Sequence, residues 1–108
     1  MTGRERDALG TVRVIIKHVM SLTQETYVDI GMAIGMRPAV VGRRQSGTTK
    51  WTVDELGCLA RHWGVPLWCL FTDVQRVLHE MDVDRVTELR AAKDLAPLHF
   101  KPPTPIAA

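Results

Sequence analysis

The chain is poor in cysteine: two in 108 residues, Cys58 and Cys69, with no Cys-x-x-Cys and no histidine pair at ligand spacing. That excludes a disulfide scaffold and a structural zinc site, and both thiols read as small buried hydrophobes. Aromatics are scarce at 6%. Trp51, Trp63, Trp68 and Phe71 fall at helix-packing positions and read as core, whereas a single-strand binder needs exposed rings for bases to stack on. No apolar run reaches the roughly eighteen residues of a membrane span, and residues 1–10 lack the apolar stretch of a signal peptide. The chain is therefore expected to be soluble and cytoplasmic. Enzyme signatures are missing as well. Ser21 and Ser46 lie in no nucleophile elbow, no Gly-x-x-x-x-Gly-Lys loop occurs, and His18, His62, His79 and His99 are scattered. No catalytic residue, cofactor or metal site is expected. Strand signals are weak, without sustained alternation and without an Asn-Gly or Asp-Gly turn.

What is present is one domain's worth of globular composition, 45% hydrophobic and 24% charged. The net charge is only +2, but residues 1–50 carry a surplus of four positive charges and the remainder a deficit of two. No acid lies between Asp29 and Asp54, while Arg37, Arg43, Arg44 and Lys50 do. A local basic stripe on a near-neutral protein points to an anionic partner for one face, nucleic acid before membrane; the plain alternative is a solvated helix face.

Helix punctuation is strong. Val12, Ile15, Ile16, Val19 and Met20 recur at three and four, forming one face of a first helix that ends near Leu22. Its start is open: Thr2 with Glu5 as a capping box, or residues 1–10 as a mobile arm. Thr26 caps a second helix that stops at Gly35, and Pro38 opens a third that ends at Gly47. Thr52 and Glu55 make a capping box for a fourth, closed by Gly64, and Pro66 opens a fifth apolar helix over 67–71. Beyond that, Thr72 and Gln75 offer a cap. The stripe Val74, Val77, Leu78 and Met81 is interrupted by Asp82-Val83-Asp84 and resumes at Val86, Leu89, Ala92 and Leu95, as one long helix with a phase slip or as two. Four prolines in 96–108 predict a flexible tail.

The second and third helices, joined by a tight glycine turn, have the dimensions of a helix-turn-helix. Ile30, Ile34, Met36 and Val41 are expected at their crossing, with Gly31 allowing close approach and Met32 and Met36 as gap-fillers. The segment Thr26-Tyr-Val-Asp-Ile-Gly-Met-Ala-Ile-Gly-Met-Arg-Pro-Ala-Val-Val-Gly-Arg-Arg-Gln-Ser-Gly47 resembles the phage-repressor/Cro helix-turn-helix family. The resemblance continues through Trp51-Thr-Val-Asp-Glu-Leu56, Leu59-Ala60, Trp63-Gly-Val-Pro-Leu67 and Leu70-Phe71. The likeness spans about residues 10–72 and leaves 73–108 unaddressed.

The resemblance implies a five-helix repressor-like domain over 1–72; with the one or two further helices that spacing gives over 73–95 and the Pro-rich tail over 96–108, the expected fold is all-α. The resemblance also implies a third helix in the major groove of double-stranded DNA and homodimers on palindromic half-sites. Arg37, Pro38, Ala39, Val40 and Arg43 would face base edges. Arg43 suits guanine O6 and N7, and Ala39 and Val40 suit a thymine methyl. Phosphate anchors would be Thr26 and Tyr27 at the second helix's N-terminus, with Arg44, Thr48, Thr49 and Lys50 on the other side. Gly42, mid-helix, calls for a close neighbour or is a tolerated imperfection. The family usually has an apolar residue at Arg44, and pairs an Arg with a Glu where this chain has Met20 and Gln45. The function implied is a sequence-specific repressor or Cro-like regulator in a bacterial or phage-infected cell. The rival reading is a protein-binding module, an antitoxin or antirepressor, using 73–108 as its partner surface. The 73–95 stripe either supplies a dimer interface or folds back on the domain's own core.

Overall fold

Val12, Ile15, Ile16 and Val19 are fully buried on one face of α1 (Gly3–Thr23) in the computed structural model, which describes residues 3–92. Of the two starts left open by the sequence, α1 takes the earlier one and runs straight through Gly10. The glycine and cap punctuation then sets each boundary. In α2 (Tyr27–Ile34) the Thr26 hydroxyl accepts the Asp29 N–H while the Asp29 carboxylate accepts the Thr26 N–H at 2.8 Å. The helix stops at Gly35, left-handed at φ 76°. α3 (Pro38–Ser46) has Pro38 in its first turn and Gly47 at φ 87° beyond its end. α4 (Val53–Trp63) opens on the reciprocal Thr52–Glu55 box.

The α2–α3 crossing is set at Gly31. A Cβ there would overlap the Met36 carbonyl oxygen and lie 3.2 Å from its carbon, while the Met36 N–H donates to Gly31 O at 2.8 Å. Ile30 and Val41 are fully buried beneath, with Ile34 and Met36 packed against them. Met32 does not fill a gap: it is 80% exposed, one turn beyond the exposed Val28 on the outer face of α2.

The C-terminal part departs from expectation in three ways. Residues Leu67–Phe71 form a 3-10 helix, closed by Thr72, whose hydroxyl donates to Cys69 O at 2.9 Å. Side chains three apart eclipse in that geometry. Cys69 and Leu70 are buried, and Trp68 and Phe71 align on the outer edge, 51% and 42% exposed, so these two rings are not core. The cap of α5 (Val74–Glu80) is Asp73, which accepts the Arg76 N–H at 2.8 Å, not Thr72. Met81 is extended and Asp82 caps α6 (Val83–Ala91), so the interruption separates two helices. Val77, Met81, Val86 and Leu89 are all buried in the common core. The stripe therefore folds back on the domain and does not form a free dimer face, although Leu78 stays exposed. The tail expected over 96–108, with the last residues of the extension, lies outside the described residues.

A buried polar junction ties α6 to α1 and α4. Glu25, in the α1–α2 turn, is 8% exposed. Its Oε1 accepts from Thr23 at 2.7 Å and from Trp63 Nε1 at 2.8 Å, and its Oε2 lies 2.6 Å from His62 Nε2. Arg85 of α6 donates to His62 O at 2.8 Å and faces His62 Nδ1 at 3.4 Å, and Arg90 reaches Leu22 O at 3.2 Å. With Arg85 Nη2 against Nδ1, it is Nε2 that carries the hydrogen donated to Glu25. Burial pushes the Glu25 carboxyl up, but hydrogen bonds from His62, Trp63 and Thr23 outweigh it and hold the pKa below the ordinary value. Among the described residues, no helix is long and apolar enough to cross a membrane.

Candidate nucleic-acid interface

α3 buries Val41 and turns Arg37, Pro38, Ala39 and Arg43 outward, with Val40 half-buried at the edge. Pro38 holds the first turn without needing an N–H donor. Neither Arg37 nor Arg43 has a carboxylate partner among the described residues. Of the five residues expected at base edges, four are exposed and Val40 is half-buried, and Arg37 and Arg43 flank the apolar Pro38, Ala39 and Val40 along the chain.

The expected phosphate anchors divide. Tyr27 is part-exposed, and its ring lies against α3 so closely that a Cβ at Gly42 would sit 3.4 Å from it. The close neighbour of Gly42 is therefore Tyr27, at a distance that an added methyl group would meet in ordinary van der Waals contact. Lys50 and Thr48 are exposed, Thr48 sharing a 2.9 Å hydrogen bond with Ser46. Thr26, by contrast, spends both its hydroxyl and its N–H on Asp29. The first-turn N–H groups without an intrahelical role are those of Tyr27 and Val28.

Arg44 is also placed differently from expectation. Its Nε and Nη2 donate to the two Glu55 carboxylate oxygens, each at 2.9 Å, and Nη1 donates to Thr49 Oγ1 at 2.7 Å. The side chain is 18% exposed. This fork holds the Glu55 carboxyl below its usual pKa, against a smaller opposing effect of burial. Arg44 is thus neutralised inside the protein and clamps α3 to the start of α4, and Thr49 is drawn into the same clamp. Sequence pattern identifies Glu55 only as a helix cap. Its second role, across eleven residues, is tertiary.

The departure at Gln45 is resolved by two hydrogen bonds. Its Nε2 donates to Arg13 O at 3.1 Å, and its Oε1 accepts Trp51 Nε1 at 2.9 Å. A neutral amide thereby ties α1, α3 and the loop before α4 without burying charge.

Beside this surface lies a groove of about 560 Å³ that no sequence pattern reveals, lined by Arg13, Lys17, Ser21, Gln24, Tyr27 and Gln45 among others. No cluster of three metal-ligating side chains occurs among the described residues. Comparisons with protein-family models, with curated proteins and with solved structures return no match. The functional reading rests on the residues and their geometry.

Proposed function

We propose that this chain is a sequence-specific double-stranded-DNA-binding regulator that acts as a repressor or Cro-like switch, occupying a palindromic operator as a homodimer. The observation that carries the reading is the outward side of α3. Arg37 and Arg43 stand there without carboxylate partners among the described residues, while the neighbouring Arg44 is fully neutralised by Glu55. Arg43 is assigned to a guanine edge, Arg37 to a base edge or phosphate, and Pro38, Ala39 and Val40 to thymine methyl contact. Tyr27, Thr48 and Lys50 are assigned to phosphates; Arg44, Thr26 and Thr49 are released from that role.

The test is selection of duplexes from a random pool, then binding of the selected site and of random duplex across a salt series. The reading expects a selected site bound at least about a thousandfold tighter than random duplex, with affinity falling steeply as salt rises. Arg43→Ala should relax preference at one base pair, costing about 1–3 kcal/mol there. Lys50→Ala should weaken all sequences alike. Equal affinity for every duplex, or affinity independent of salt, would overturn the reading.

The alternative, a helix-turn-helix scaffold that binds another protein, is favoured by the exposed apolar pair Val28 and Met32 on α2. Met32→Gln separates the two, because it would weaken such an interaction without changing the charge presented to DNA.

A further inference from the structure

The groove between α1 and the helix-turn-helix has a basic floor that the helix-turn-helix motif does not include. Arg13 and Lys17 are four residues apart on α1, so they project from the same face about 6 Å apart along the axis. Neither has a carboxylate partner among the described residues, and no acid lines the groove. Arg13 is held in place. A Cβ on Gly47 would lie 3.2 Å from its guanidinium carbon, so the planar head rests on the chain just beyond α3, and its backbone oxygen accepts from Gln45. Lys17 is exposed and makes no such contact. Ser21 and Tyr27 line the same space, while the Gln45 amide is spent on Arg13 O and Trp51 Nε1. Tyr27, which lines the groove, also packs on Gly42 of α3, the residue beside Arg43.

We infer that Arg13 and Lys17 form a second phosphate track on α1, which takes the sugar-phosphate backbone of the same duplex just outside the base-reading contact. This rests on the DNA-binding reading and extends its footprint from the motif to the first helix. Two cations one helical turn apart, with Ser21 one turn further along the same helix, suit neighbouring phosphates of one strand. Such contacts carry no sequence information and release counterions.

The experiment uses the full chain and a random-sequence duplex of about three helical turns, because the expected term is independent of sequence. Affinity is measured across a salt series for the wild type, Lys17→Gln, Arg13→Gln with Lys17→Gln, and Arg76→Gln as a charge-matched control. Arg76 lies 4.0 Å from Glu80 and over the Trp68 ring, away from the groove. Each lost phosphate contact should flatten the log–log salt slope by about 0.9, so the double variant should lose about 1.8 and the control nothing. Lys17→Gln alone keeps the inference testable should Arg13 be needed for folding, and Lys17→Arg should restore the slope. Unchanged slopes in Lys17→Gln and the double variant, with the wild type binding normally, would overturn the track and leave the base-reading residues standing. A wild type that binds no duplex at any salt would overturn both.

Discussion

Replacing Gly31 by alanine should destabilise the protein, although the same exchange within a helix ordinarily stabilises it. Alanine gains about 1 kcal/mol over glycine in a helix interior through lower backbone entropy in the unfolded chain. At Gly31 the new methyl would occupy the space of the Met36 carbonyl oxygen, and its neighbour carbon is only 3.2 Å away. That obstacle is backbone, held in the turn by the 2.8 Å bond from Met36 N to Gly31 O. Relief requires α2 and α3 to move apart. The cost is an overpacking penalty of about 1–3 kcal/mol and, if the turn opens, a hydrogen bond of about 1 kcal/mol. The net loss is then about 1–3 kcal/mol, or a fall in Tm of about 5–20 °C for a domain of this size. Gly57, mid-way along α4, has nothing within 4 Å of its Cβ position, so Gly57→Ala should raise stability by about 0.5–1 kcal/mol. Thermal unfolding followed by circular dichroism reads both in one experiment. If Gly31→Ala raises stability as Gly57→Ala should, the close approach of the two helices at Gly31 is refuted.

Glu55→Gln should remove the bidentate partner of Arg44, lower stability by about 1 kcal/mol, and steepen the salt dependence of DNA binding as a cation is released; denaturant titration and the salt series measure the two effects. A carboxyl whose pKa is lower folded than unfolded adds stability that is full above about pH 4.5 and fades as pH falls through the folded value; Glu25 and Glu55 are both of this kind. The wild type should therefore lose stability progressively below about pH 4.5, more steeply than Glu25→Gln, and parallel pH profiles would contradict the buried junction. Cys69 is buried, with its thiol pKa pushed up chiefly by burial, and Cys58 is half-buried, so a thiol reagent should label Cys58 well before Cys69 in the native protein.

How much of the molecule is legible in its sequence depends on the range over which each interaction acts. The caps at Thr26, Pro38 and Thr52 and the stops at Gly35, Gly47 and Gly64 are local backbone chemistry, and each falls where the residues put it. Arg37, Pro38, Ala39, Val40 and Arg43 come from the family resemblance and not from spacing; four of them are exposed and Val40 is half-buried. Trp68 and Phe71 escape that reasoning because α-helical spacing does not apply to five residues that form a 3-10 turn, where positions three apart share an edge. Arg44 escapes it because its partner is a residue already explained as a cap. Two roles for one carboxylate leave no trace in spacing. The junction of Glu25 with His62 and Trp63 joins residues 37 and 38 positions apart, beyond any sequence pattern.

The placement of charge argues further for a polyanionic partner than its total does. On α5 and α6 the bases are answered in place: Arg76 by Glu80 at 4.0 Å and Arg85 by Glu88 at 2.9 Å. On the side formed by α1, α3 and the loop after it, Arg13, Lys17, Arg37, Arg43 and Lys50 have no answering carboxylate among the described residues. Leaving five cations unmatched costs mutual repulsion, which interspersed signs would relieve with no loss of solubility. The matched base on that side, part-buried Arg44, carries the bidentate bond between α3 and α4. The unpaired remainder is the charge that the proposed duplex contact would balance.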